Sequence, residues 1–181
     1  MFLLKQYPEY IFNFEGAVKY AWMKEYYPAQ YEEMKKFIES GRWHISGASW
    51  DATDTLVPSI ESALRNIMLG QDYYRKEFGV ESTDIFLPDC FGFGWTLPAI
   101  ASHCGLIGFS SQKLQWRNKP FYGNDKYPFT VGLWQGIDGS TIMMTHGYDY
   151  NQRFEDGDLS ENKDLLELTG HSPLHMVYRY Y

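Results

Sequence analysis

The feature that most constrains this chain is an alternation between two hydrophobic patterns. Short apolar runs of strand character exchange places with longer stretches whose apolar residues recur at helical spacing. Residues 10–14, Tyr-Ile-Phe-Asn-Phe, read as a buried strand closed by Glu15. Gly16 then opens a stretch in which Val18, Ala21, Trp22 and Tyr26 recur at helical spacing. Pro28 restarts a helix through Tyr31, Met34, Phe37 and Ile38, with Lys and Glu outward, and Ser40-Gly41 stops it. Residues 43–47 read as a second strand, and 51–58 as a polar loop. Ser59 is a plausible N-cap for a helix through Leu64, Ile67, Met68, Gln71 and Tyr74, closed by Gly79. Residues 85–88 predict a third strand, 97–104 a helix stopping at Gly105, and 106–110 a fourth strand. Helices of this length act as crossovers between parallel strands, so the chain is expected to be an α/β domain with a mostly parallel sheet. Residues 129–135 and 140–145 are strand-like, and Asp138-Gly139 between them supports a hairpin.

In parallel α/β sheets the ligand crevice lies outside the carboxyl ends of the strands. The residues just after each strand are Glu15, then Asp51 and Asp54, then Asp89, then Lys113, then Tyr148 with Asp149. Singly, such carboxylates also serve as helix caps or solvated loop groups. Their recurrence at successive strand ends is what points to a site. Asp89 is the most suggestive. Pro88 stiffens the chain before it, and Cys90-Phe91-Gly92-Phe93-Gly94 after it can turn tightly and let a ligand approach the backbone. A carboxylate on a rigid strand end beside aromatic rings suits a sugar site, where rings such as Phe91, Phe93 and Tyr148 would contact the sugar. Aromatic residues make up 18% of the chain, enough to serve both a core and such a site.

The stretch Leu87-Pro88-Asp89-Cys90-Phe91-Gly92-Phe93-Gly94, followed by Leu97-Pro98, resembles the nucleophile motif of glycoside hydrolase family 38, the α-mannosidases. The resemblance runs in order through Gly41-Arg42-Trp43, Gly47-Ala48-Ser49-Trp50, Pro58-Ser59-Ile60-Glu61-Ser62, Gln112-Lys113-Leu114 and Trp134-Gln135-Gly136-Ile137-Asp138-Gly139-Ser140. It implies a seven-stranded barrel-like α/β fold and a zinc-dependent, retaining hydrolase of α-mannosides. By the same resemblance Asp89 is the nucleophile and a zinc ligand, Phe91 stacks beside the sugar, and Lys113, Tyr148 and Asp54 line the substrate pocket. The expected partners are a mannose-containing glycan and the rest of an α-mannosidase chain.

The departures matter as much. The family's zinc site also uses a His-x-Asp pair, which this sequence lacks, and a histidine far downstream; the general acid/base has no match here either. One carboxylate does not hold zinc, since such sites take three or four protein ligands. The chain therefore reads as residues 1–181 of one catalytic domain, truncated at both ends and inactive and poorly soluble alone. Its aromatic end at Tyr180-Tyr181 agrees with a cut inside a domain. The histidines offer no substitute: His44, His103 and His146 read as structural or strand-end residues, and Pro173 interrupts the i, i+4 pair His171 and His175. Two other classes compete. A carbohydrate-binding domain without catalysis would use the aromatics with Asp89, Lys113 and Tyr148. A polysaccharide deacetylase-like metalloenzyme would need the metal signature that the interrupted histidine pair fails to supply.

Composition closes off further classes. Lys and Arg total 16 against 23 Asp and Glu, a formal charge of -7, which argues against a nucleic-acid footprint. No apolar run approaches the ~20 residues of a membrane span. Residues 1–8 lack the basic start and apolar stretch of a secretory signal, and Cys90 and Cys104 make no disulfide framework. A cytoplasmic location with two free thiols is the expectation.

Overall fold

A computed structural model describes residues 1–90, 92–111 and 131–146. Its elements follow in the order α1 (Phe2–Gln6), β1 (Phe12–Phe14), α2 (Ala17–Tyr26), α3 (Pro28–Glu39), β2 (Trp43–Ile45), α4 (Ile60–Phe78), β3 (Asp84–Phe86), α5 (Leu97–His103), β4 (Gly108–Ser111), β5 (Val131–Gln135) and β6 (Thr141–His146). The alternation of strand and helix is the one read from the sequence. The short α1 is additional, docked by Leu4 and by Arg42, whose guanidinium donates to the carbonyls of Leu4 and Tyr7.

Local chemistry sets the boundaries. The Ser59 hydroxyl accepts from the Ser62 amide and starts α4. Gly79, at a φ of 67°, ends α4 in the left-handed conformation that glycine adopts without a steric penalty. The β5–β6 hairpin turns on Asp138, whose carboxylate accepts from the amide and hydroxyl of Ser140, and on Gly139 at a φ of 85°.

β1 and β2 pair in parallel, and the four-stranded sheet runs β3-β4-β6-β5, with only β5 antiparallel. The two sheets are stitched by Asp84, a residue the sequence reading passed over. Its carbonyl accepts from the Ala48 amide at 2.9 Å. Its carboxylate, on a residue 5% exposed, accepts from Gly47 N, Ser46 Oγ and Ser82 Oγ. A buried carboxylate with three donors is satisfied where a lone one would be costly.

Two apolar clusters hold the helices to the strands. One gathers Ile67, Ile85, Leu97, Ile100, Phe109, Ile142 and Met144 beneath α4 and α5. The other is aromatic, with Tyr20, Tyr31, Trp43 and Tyr74 buried and Phe12, Phe37 and Phe78 packed against them. Here the reading of α2 needs correction: Trp22 and Tyr26 are exposed, and the buried face is Ala17 and Tyr20. Apolar residues encircle α2, so spacing alone admits two stripes. Tyr20 wins because its hydroxyl donates to the Phe14 carbonyl and accepts from Trp43 Nε1, so that both buried side-chain polar groups are met. Met68 on α4 is likewise exposed, while Gly70 is buried. At Gly70 the helix lies so close to the loop after β2 that a Cβ would stand 2.2 Å from the Ala48 oxygen.

Candidate active site

The carboxyl ends of the strands converge at Gly47. At a φ of 72° it carries no side chain, and a Cβ there would lie 2.9 Å from the Cβ of Glu15 and 3.5 Å from that of Phe86. The ends of β1, β2 and β3 thus meet at one point, where a parallel α/β sheet places its ligand crevice. Glu15 is drawn into an ion pair with Lys19, one turn on. It is a structural neighbour of the crevice, with its charge partly answered.

Two connections rise from this edge and are laced together. The Cys90 thiol donates to the Thr53 carbonyl at 3.1 Å, and the Thr55 hydroxyl to the Gly92 carbonyl at 2.8 Å. Leu56 lies directly on the glycine turn: a Cβ at Gly92 would meet its Cδ1 at 2.4 Å. A side chain at 92 would have to push the exposed end of Leu56 aside. Asp54 and Asp89, one on each connection, are both exposed. The Asp54 carboxylate accepts from the amides of Leu56 and Val57, an Asx-type turn that fixes the loop. Asp51 accepts from the Ala52 amide, and its loop is tied to Asn66 of α4. Burial pushes the Cys90 thiol above its ordinary value, and the carboxylates of Asp54, Asp89 and Glu15 push it further the same way.

Of the residues singled out from sequence, the structure brings Asp54 and Asp89 to the same edge. Phe91, Lys113 and Tyr148 lie outside the described residues, as do His171 and His175. Phe93, expected as a sugar contact, is instead packed into the core with its ring 5.0 Å from that of Phe109. His44 lies across the β1–β2 ladder from Asn13, and His103 is exposed at the end of α5. Among the described residues no three His, Cys, Asp or Glu side chains come together as a metal site. A residue that the sequence reading missed is Trp95, 76% exposed at the end of the glycine turn. Its signal was a tryptophan placed between a Gly-rich turn and a helix start.

Residues 1–170 match the family described as "Glycosyl hydrolases family 38 N-terminal domain". This chain belongs to glycosyl hydrolase family 38. The family 38 chain is 37% identical over 166 residues to "Alpha-mannosidase G" of Dictyostelium discoideum, a match covering 88% of this chain and 15% of that protein. It is 32% identical over 142 residues to human "Alpha-mannosidase 2C1", covering 78% and 13%. Among solved structures, a family 38 protein from Enterococcus faecalis superposes with a TM-score of 0.64 at 20% identity, covering 99% of this chain and 18% of that one. The chain thus spans about one seventh of the length of the curated relatives it matches.

Proposed function

We propose that this chain is the nucleophile-bearing part of the catalytic domain of a retaining α-mannosidase that trims terminal α-mannosides from glycans. The observation that carries the reading is Asp89. It stands at the carboxyl end of β3, on the motif Leu87-Pro88-Asp89-Cys90-Phe91-Gly92 of a family 38 chain. Residues 1–181 are then one portion of a single domain whose remaining strands close a seven-stranded barrel-like sheet.

In this mechanism the Asp89 carboxylate attacks the anomeric carbon while the glycosidic oxygen leaves with a proton from a general acid. The resulting glycosyl ester is hydrolysed by water, and the two inversions return the original configuration. A retaining pair of carboxyl groups stands about 5–5.5 Å apart, and the second member comes from outside this chain. Phe91, Lys113, Tyr148 and Asp54 are proposed to line the pocket. Zinc belongs to the same reading, with Asp89 as one ligand. The described residues do not by themselves fit the metal, so its other ligands lie beyond them. The two part-buried free thiols, Cys90 and Cys104, agree with work in a reducing, cytoplasmic setting.

The intact protein, assayed with an aryl α-mannoside, is expected to turn over and to lose at least about 1,000-fold in kcat on Asp89→Asn. A fluoroglycoside that traps the covalent intermediate should label the peptide bearing Asp89. Labelling elsewhere, or an Asp89→Asn enzyme with undiminished kcat, overturns the assignment.

A further inference from the structure

Resting on that reading, we propose that Thr55 is a positioning residue for the nucleophile: its hydroxyl, with the Cys90 thiol, locks the turn that carries Asp89 to the loop that follows β2. Three observations carry this. First, Asp89 stands between fixed points. Two residues before it, the Leu87 amide donates to the Ser110 carbonyl of β4 at 3.0 Å. One residue after it, the Cys90 thiol donates to the Thr53 carbonyl at 3.1 Å, and three after it the Gly92 carbonyl accepts from the Thr55 hydroxyl at 2.8 Å. Second, the loop that supplies Thr53 and Thr55 is itself anchored. Asn66 of α4 answers both backbone groups of Asp51, its side-chain oxygen accepting from the amide and its side-chain nitrogen donating to the carbonyl. The Asp54 carboxylate then closes the next turn on the amides of Leu56 and Val57. The nucleophile turn is thus tied, through one short loop, to a helix of 19 residues. Third, the donors suit the task. Both are neutral, so they add no charge beside the nucleophile. Burial holds the thiol above its ordinary value, so it keeps its proton and donates at neutral pH.

The chemistry explains why such a tie is needed. Glycine at 92 and 94 leaves the backbone after Asp89 many conformations to lose. A nucleophilic carboxylate must meet the anomeric carbon closely, and a misplacement of about 1 Å costs on the order of 100-fold in rate. The Gly92 carbonyl lies outside any strand ladder and takes its donor from a side chain. Threonine supplies that donor on a β-branched stem with few rotamers, so the hydroxyl is aimed in advance. The tie fixes where Asp89 stands and not what the pocket grips. Its loss therefore falls on the chemical step rather than on substrate affinity.

Steady-state kinetics of the intact protein on an aryl α-mannoside test this, with kcat referred to the sites that the trapping fluoroglycoside titrates. Thr55→Val keeps the shape of the side chain and removes the donor, whereas Thr55→Ser keeps the donor. In Thr55→Val kcat is expected to fall about tenfold with KM within about twofold of wild type, and in Thr55→Ser both are expected to stay near wild type. An unmoved kcat per titrated site in Thr55→Val overturns the positioning role. So does an equal fall in both variants, or a change confined to KM, which would set Thr55 against the substrate. A Thr55→Val protein that no longer melts cooperatively overturns it too, since the hydroxyl would then be a condition of folding. A wild-type protein that leaves the aryl α-mannoside uncleaved, or a trapped sugar on a residue other than Asp89, overturns instead the mannosidase reading beneath the proposal.

Discussion

Asn13 on β1 and Asp84 on β3 both bury polar side-chain atoms, and they are treated in opposite ways. Asp84 has three donors on its carboxylate, whereas both side-chain polar atoms of Asn13 are buried with no hydrogen-bond partner among the described residues. An unmet buried amide costs about 1–3 kcal/mol. Valine at position 13 suits a strand and removes the unmet groups. Asn13→Val is therefore expected to raise stability by about 1 kcal/mol, read as a higher urea midpoint at unchanged slope; a lower midpoint would mean that the amide finds a partner in solution. Neither residue's state was legible in the sequence. A strand period shows which face a side chain takes, but not which groups from distant segments meet it there. Asp89 and Asp54 were legible as strand-end residues because the position of a loop follows from the order of elements. Phe93 was misread because local spacing does not say whether a turn aims a ring outward or down.

At the scale of elements, Glu77 links three helices. From α4 its carboxylate accepts from Lys24 of α2 at 2.6 Å and from the Tyr31 hydroxyl of α3 at 2.8 Å. The Lys24 ammonium, and after it the Tyr31 hydroxyl, hold the carboxyl below its ordinary 4.5. The folded chain thus binds fewer protons than the unfolded chain in that window. The contribution is full above 4.5 and is lost as pH falls through the lower folded value. Glu77→Gln should melt below wild type at neutral pH, and the two melting curves should draw together in acid. A gap that persists at low pH would assign the loss to packing. The helices themselves were legible from Pro28, Ser59 and Gly79, because caps are local. The face α2 buries was not, since the choice between its two apolar stripes falls to Trp43 and Tyr74, on distant segments.

At the scale of the molecule, the described sheet ends on β5, which among the described residues pairs with β6 alone. Leu133 on that strand is 73% exposed, and its register partner Met143 is exposed as well. An apolar edge strand is a template for pairing with another chain. The isolated chain is expected to self-associate at micromolar concentration, and Leu133→Lys to shift it toward monomer in sedimentation velocity. A wild-type chain that stays monomeric would show that this edge is covered. The α/β class and the mostly parallel pairing were legible in the alternation of periods. The stitch between the two sheets was not, because it runs through the carbonyl and the carboxylate of one aspartate.

Gly47 bears on how such a site can vary. Any side chain at this position must push Glu15 aside and come into contact with Phe86, and must also adopt a φ that L residues avoid. The ends of β1 and β2 are therefore fitted to each other through this glycine. Such a site varies more readily in the loops that rise from the strand ends than in the floor beneath them.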